Sequence, residues 1–171
     1  TGAVDTAVCY IGTKSLKLQT RPTTPAIGDF VQAKRIINRP QSNKVRISIY
    51  VKYQTQMTTD LIIEITPGGA VNGVTYGIRL DPANARVQYK DSANTWQTVT
   101  SVGAFQSSGN FALVSLDLDT PNGKYLRFSL NDQTFNLANI AGYSVGASDE
   151  ARSVVVNLVC TTKDTNQLTA Y

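Results

Sequence analysis

The chain has 171 residues and one tryptophan, Trp96, which lies in the segment VQYKDSANTWQTV (87–99) together with Tyr89 and Asn94. An indole beside a tyrosine can stack on the apolar face of a sugar ring while an amide hydrogen-bonds to its hydroxyls. A hairpin with its turn at 91–94 instead places Tyr89 directly opposite Trp96, and such an aromatic pair favours an inward face. The sequence therefore predicts Trp96 in the core or at its edge. A carbohydrate platform of Trp96, Tyr89 and Asn94 is the alternative.

The chain contains no histidine, which excludes the usual general base, the Ser-His-Asp and Cys-His nucleophile systems and the commonest zinc ligand. Its two glutamates, Glu64 and Glu150, are the carboxylate pair that could support glycoside hydrolysis. Glu64 alternates with apolar strand residues and is expected to point away from the core. No cluster of tryptophans or tyrosines surrounds either glutamate to grip a sugar. We therefore expect no catalytic residues and a protein that is not an enzyme.

Two further pairs of residues could do chemistry. Asp117 and Asp119 alternate in a predicted strand and could bind Ca²⁺ together with a loop carbonyl, although an acidic solvent face gives the same pattern. No other cofactor is expected.

Cys9 and Cys160 form an even pair near opposite chain ends, which predicts a disulfide in an oxidising compartment; two buried thiols are the alternative. The bridge would stabilise the fold by about 4–5 kcal/mol in the chain-entropy model.

The composition favours a β protein outside the cell. Charged residues make up 16% of the chain, well below the roughly 25% of ordinary globular proteins. Residues 1–52 carry a net charge of +7 and the remainder −3, which predicts a basic surface for an acidic partner or for the acidic part of another copy; solvated strand faces are the alternative. The basic residues are scattered, so nucleic acid is not expected as the primary ligand. No apolar run approaches the ~20 residues of a membrane span.

Alternation with period two dominates the sequence. It predicts strands in SLKLQT (15–20), VRISIYVKY (45–53), LIIEI (61–65), VTYGIRLD (74–81), ALVSLDLD (112–119), YLRFSLN (125–131) and SVVVNLVC (153–160). Turn signals such as TPGGAVNG (66–73) and TPNG (120–123) separate them. The pattern indicates an all-β, antiparallel two-sheet sandwich of about ten or eleven strands in a single domain, 1–171. A helical turn is an option at 29–38.

Three segments carry a family resemblance: YIGTKSLKLQT (10–20), YGIRLDPANARVQYKDSANTWQTV (76–99) and VVVNLVCTTKDTNQLTAY (154–171). They resemble the first strand, the central Trp-bearing meander and the closing strands of the concanavalin-A-like jelly-roll superfamily. That broad group includes laminin-G-like domains and many carbohydrate-binding modules. The resemblance implies a jelly-roll sandwich and makes a polysaccharide one candidate partner.

Look-alike domains continue from the LTAY stretch into a further apolar strand segment, whereas this sequence stops at Tyr171. That departure predicts an open edge at Leu168, Ala170 and Tyr171, to which another copy could add a strand. The main prediction is therefore a non-catalytic structural subunit, a homo-oligomer or polymer on a virion surface or in an extracellular cell-surface filament. Its copies would be joined by strand edges and opposite charges. The alternative is a carbohydrate-binding, lectin-like module.

Overall fold

The computed structural model of the protein describes residues 2–5, 15–19, 26–38, 44–52, 59–68, 73–100, 110–144, 153–162 and 169–170. These residues form strands and one short 3-10 turn, Pro82–Asn84. The strands are Gly2–Asp5 (β1), Ser15–Gln19 (β2), Phe30–Asn38 (β3), Lys44–Val51 (β4), Thr59–Pro67 (β5), Val74–Asp81 (β6), Arg86–Lys90 (β7), Trp96–Thr100 (β8), Ala112–Asp119 (β9), Lys124–Leu130 (β10), Gln133–Asn136 (β11), Tyr143–Ser144 (β12), Ser153–Thr162 (β13) and Thr169–Ala170 (β14).

The strands form three antiparallel sheets. A seven-stranded sheet has the order β3-β13-β5-β6-β7-β8, with β12 paired to β6. A four-stranded sheet has the order β11-β10-β9-β4, and a small three-stranded sheet has the order β1-β2-β14. The predicted all-β antiparallel jelly-roll sandwich is confirmed. The described residues hold more strands than the ten or eleven predicted, because four of them, β1, β11, β12 and β14, have only two to four residues each.

The core lies between the inner faces of the two larger sheets. The inward side chains of β5 and β6 meet in the cross-strand pairs Leu61–Leu80, Ile63–Ile78 and Ile65–Tyr76. Opposite them, Ile47 and Ile49 of β4 and Val114 and Leu116 of β9 line the same narrow gap between the sheets. Since successive strand residues point to opposite faces, each strand gives its apolar set to this core and leaves an outer face for other groups.

The helical turn considered for residues 29–38 is wrong, because Phe30–Asn38 is strand β3. Its register with β13 runs from Asn38 opposite Ser153 to Phe30 opposite Thr161. The ladder satisfies backbone groups along the whole segment, and Val31 and Ala33 pack against the core. Tertiary pairing thus overrides the local sequence preference.

The predicted assembly edge falls partly within the described residues. Ala170 lies in β14, and its backbone pairs with Leu18 of β2 within the same chain. The side chain of Leu18 is buried in the core. Leu168 and Tyr171 lie outside the described residues. Ala170 therefore lies in a strand that pairs with β2 of the same chain.

Candidate functional site

The hairpin β7–β8 places Trp96 on the outer face of the seven-stranded sheet. Lys90 pairs with Trp96, and Tyr89 pairs with Gln97. The loop between them has five residues, 91–95, rather than the four that the sequence suggested. A shift of one residue moves a side chain to the other face of a strand, so the predicted inward position of Trp96 is wrong. Tyr89 and Trp96 lie on opposite faces and cannot form one platform.

The carboxylate of Asp91 fixes this loop. It accepts hydrogen bonds from the backbone N–H groups of Ala93 and Thr95, at 3.0 and 2.9 Å, and from Nε2 of Gln97 at 2.8 Å. These bonds hold the pKa of Asp91 below its ordinary value, with the Thr95 bond the largest cause. Asn94 takes a positive φ of 62° in the exposed turn, a conformation that Asn tolerates better than most residues. Asn94 is thus a turn residue.

Cationic side chains approach the ring of Trp96 from the neighbouring strands. Cζ of Arg79 lies 4.8 Å from the ring centroid and Nζ of Lys90 lies 5.2 Å from it. Gly77 of β6 makes room for the indole: a Cβ built there would be 3.3 Å from Cη2 of Trp96. Trp96 is partly exposed in this arrangement. It therefore presents indole surface to solvent while its position is fixed by three neighbours.

A polar network continues from Trp96 across the sheet. Nζ of Lys90 lies 4.6 Å from the centroid of Tyr143 and 3.6 Å from Oε1 of Glu64. Tyr143 donates its hydroxyl to Oε1 of Glu64 at 3.0 Å, and Nδ2 of Asn157 donates to Oε2 at 3.2 Å. Nε2 of Gln32 then donates to Asn157 at 2.6 Å. We call this set the outer-face network; it spans β3, β13, β5, β7 and β12.

Glu64 is the centre of this network. It points away from the core, as predicted, and its side chain is 24% exposed. Its carboxylate raises the pKa of Tyr143 together with the larger effect of burial of that hydroxyl. One aromatic residue does contact Glu64, because β12 brings Tyr143 to it. Glu150 lies outside the described residues.

The sequence could have placed only part of this network. Strand alternation puts Glu64 and Arg79 on the outer faces of adjacent strands, and Glu64 pairs with Gly77, two residues before Arg79. Tyr143 and Asn157 enter through β12 and β13, which are distant from Glu64 along the chain, so no local pattern pairs either residue with it. Tyr89, by contrast, packs inward with its ring centroid 6.0 Å from that of Tyr125. Of the predicted platform, only Trp96 contacts the network, through Lys90.

The proposed calcium ligands lie in β9, in the other large sheet. The carboxylate of Asp117 accepts bonds from Nε and Nη2 of Arg46, at 2.5 and 2.7 Å, and from Nε of Arg127 at 2.5 Å. Asp119 accepts a bond from Nδ2 of Asn122 at 2.9 Å in the following turn. Across the described ranges, no group of three or more His, Cys, Asp or Glu side chains is arranged to hold a metal ion. The guanidinium groups of Arg46 and Arg127 engage Asp117, and calcium binding at Asp117 and Asp119 stays a prediction.

Cys160 lies on the inner face of β13 and carries a free thiol with no exposed surface. Burial raises the pKa of the Cys160 thiol to about 12, with a smaller effect from the charge of Asp60. Cys9 lies outside the described residues. A bridge between the two cysteines therefore stays a prediction.

Comparison with known proteins gives a fold match without a sequence match. No protein-family model matches the sequence, and no curated protein matches it. Within the ranges that the structure describes, no helix is long and apolar enough to cross a membrane.

Several solved structures share the fold. One is a GH16 protein of the mixed linkage glucan PUL of Bacteroides ovatus in complex with a G4G4G3G product, with TM-score 0.53, 11% identity, and coverage of 99% of this chain and 82% of that chain. The laminarinase catalytic domain of Thermotoga maritima gives TM-score 0.54, 9% identity, and coverage of 95% and 76%. A β-1,3-1,4-glucanase (lichenase) derived from a mouse hindgut metagenome gives TM-score 0.50, 10% identity, and coverage of 91% and 76%.

These likenesses correct two predictions. By their descriptions, these three structures are of carbohydrate-active enzymes, so the prediction of a non-catalytic structural subunit is wrong. The prediction that the chain is not an enzyme is wrong for the same reason. The alternative, a protein that acts on carbohydrate, fits the comparison better. At about one identical residue in ten, the likeness shows the fold: the chain has the concanavalin-A-like jelly-roll fold that its resemblance implied.

Proposed function

We propose that the protein is carbohydrate-active and binds a polysaccharide on the outer face of the seven-stranded sheet. The observation that carries the proposal is the outward position of Trp96 beside a row of hydrogen-bonding side chains. A sugar ring has an apolar C–H face and a rim of hydroxyls, and an indole flanked by amide, carboxylate and ammonium groups complements both.

The charge of this face favours a neutral glucan over an acidic chain. Arg79 lies 3.8 Å from the carboxylate of Asp60, and Lys90 lies 3.6 Å from that of Glu64. Two cations thus face two carboxylates, and neither sign is in excess for an ionic partner. Neutral hydroxyls can accept from Lys90 and Asn157 and donate to Glu64 without leaving a charge unpaired. Mixed-linkage β-1,3-1,4-glucan and laminarin are the first ligands to test, by analogy with the neighbours.

Hydrolysis of the bound chain is a second candidate function, favoured by Glu64. Its carboxylate is partly exposed on the same face as Trp96, and Tyr143 and Asn157 hold it in one orientation. Such a carboxylate could act as one member of the pair that glycoside hydrolysis needs. Reducing-sugar release from both glucans tests this role. Glu64→Gln should abolish any release while keeping most of the binding.

Affinity electrophoresis in gels containing each glucan tests the binding site. Trp96→Ala should weaken the affinity for the glucan by about fivefold or more, since a ring stacked on an aromatic side chain contributes ~1–3 kcal/mol in nucleic-acid complexes and a similar loss is expected here. Tyr50→Ala is the matched control, because Tyr50 is an exposed aromatic residue on β4 of the other large sheet. Equal retardation of wild type and Trp96→Ala would refute this site. The extracellular location agrees with a polysaccharide ligand and stays a prediction.

A further inference from the structure

The outer face of the four-stranded sheet carries two parallel rows of charge. In the first row, Asp119 of β9 lies between Lys44 of β4 and Lys124 of β10. In the second row, the central residue is Asp117, with Arg46 and Arg127 on either side. Each row therefore has the order basic, acidic, basic. The two rows together hold four cations and two carboxylates, an excess of two positive charges.

The second row is held in a fixed geometry. One carboxylate, Asp117, is engaged by both guanidinium groups through three N–H donors. The bond and charge of Arg46 are the main cause that keeps the pKa of Asp117 below its ordinary value, and the pKa of Arg46 is raised in return. Each guanidinium has five N–H donors, and the side chains of Arg46 and Arg127 are 58% and 50% exposed. Both therefore keep donors that face solvent.

An open hollow lies at this row. Its volume is about 450 Å³, and it is lined by Lys44, Val45, Arg46, Asp117, Leu126 and Arg127. Leu126 lies at the irregularity in the β9–β10 register, between Tyr125 and Arg127. Of the described residues, three cations and one carboxylate border the hollow, which is an excess of two positive charges among them. An anionic group that enters would meet donors from both sides.

Hydroxyl groups continue from the hollow along the sheet. Ser48 of β4 hydrogen-bonds Ser115 of β9 at 2.8 Å, and Ser129 of β10 hydrogen-bonds Thr134 of β11 at 3.1 Å. The backbones of β4 and β10 are two strand spacings apart, about 10 Å, and the guanidinium groups of Arg46 and Arg127 converge on Asp117 between them. A flat strand face with spaced cations and short hydroxyl side chains suits an extended chain that carries both hydroxyls and repeated negative groups.

We propose that this face is a second carbohydrate surface, which binds an acidic polysaccharide by placing a sulfate or carboxylate group in the hollow at Arg46 and Arg127. It is separate from the neutral face at Trp96 and does not depend on it. A guanidinium group can donate two parallel N–H bonds to the oxygens of a carboxylate or a sulfate, and Lys44 adds a positive charge nearby.

Isothermal titration calorimetry at low salt tests the proposal, with dextran sulfate, polygalacturonate and uncharged dextran as the probes. Wild type should bind one or both anionic chains and not dextran, and affinity should fall steeply as salt rises because bound counterions are released. Preference for dextran sulfate assigns sulfate, and preference for polygalacturonate assigns carboxylate. Binding of neither anionic chain, or equal binding of dextran, would overturn the proposal.

Two variants localise the binding. Arg127→Gln should weaken binding of the anionic chain by about tenfold, with Lys17→Gln on β2 of the small sheet as the charge-matched control. Lys44→Gln should lower the salt dependence without disturbing the bonds of Asp117, and it serves if Arg127→Gln is unstable. Trp96→Ala should bind as wild type does, which separates this surface from the neutral one. Equal weakening by Lys17→Gln, or equal affinity for a single-stranded oligodeoxythymidine of the same charge, would indicate general polyanion attraction and refute the site.

Discussion

The indole of Trp96 lies over Gly77, two strands away in the same sheet. A Cβ built on Gly77 would be 3.3 Å from Cη2 of Trp96 and 3.2 Å from Cβ of Lys90. Both distances are shorter than ordinary contacts between such atoms, so the neighbours would have to move by a few tenths of an ångström. The absence of a side chain at Gly77 thus lets the indole of Trp96, the proposed sugar-stacking residue, pack against β6 at this position.

Gly77→Ala should therefore weaken glucan binding by two- to tenfold while the fold is retained. The added methyl group displaces the indole and the stem of Lys90 without removing either. Affinity electrophoresis measures the binding, and a shift in Trp96 fluorescence reports the displacement. Gly2→Ala is the control, because a Cβ there meets Leu18 at an ordinary 3.8 Å. If Gly77→Ala binds the glucan as wild type does, the contact between Gly77 and Trp96 has no part in recognition.

The alternation of the sequence was sufficient to predict the sandwich but not the position of Trp96. Period-two alternation predicts that residues such as Ile63 and Ile78 point inward, and both are buried in the core. The face of Trp96 depends on the loop length between β7 and β8. The backbone N–H of Thr95 donates to the carboxylate of Asp91, and Asn94 adopts a positive φ. Thr95 therefore belongs to the loop, which has five residues instead of four. One residue of loop was enough to reverse the expected face.

The rest of the outer-face network depends on long-range pairing. Glu64 and Asn157 are opposite one another in the β5–β13 register, although they are far apart in the chain. Tyr143 reaches Glu64 only because the two-residue strand β12 pairs with Thr75 and Val74 of β6. A short strand of this kind has no periodicity of its own. The sequence could therefore suggest an outward Glu64 but not the residues that orient it.

Tyr125→Phe should lower the free energy of unfolding by about 1–3 kcal/mol, because buried backbone groups would lose a partner. The Tyr125 hydroxyl lies between β6 and β7, where it accepts from the N–H of Gly77 at 2.9 Å and lies 2.8 Å from the carbonyl of Lys90. Burial also raises the pKa of Tyr125. Urea unfolding measures the loss. Tyr76→Phe, which removes a longer 3.4 Å contact to Asp119, should cost less, and a larger loss there would contradict this account.

Asp117→Asn should lower stability at neutral pH by about 1 kcal/mol, a modest value because both partner arginines are half exposed. The pKa of Asp117 is lowered in the folded state, so its contribution is present above the unfolded value near 3.9 and is lost as pH falls through the folded value. Wild type should then lose more stability than the variant between about pH 5 and pH 2. Urea titrations across that range measure the difference. Identical acid dependence in the two proteins would show that Asp117 contributes nothing to it.

Cys160 should resist alkylation in the folded protein. Its thiol has no exposed surface, and its pKa of about 12 leaves little thiolate at pH 8. In a Cys9→Ser variant, which isolates this thiol, reaction with iodoacetamide should be roughly a hundredfold slower than in urea, followed by mass spectrometry. Comparable rates in buffer and urea would mean that the strand β13 opens readily at this position. The same reagent tests the predicted bridge in the wild-type chain: an unchanged mass after alkylation in urea without reductant supports a Cys9–Cys160 disulfide, and two added groups refute it.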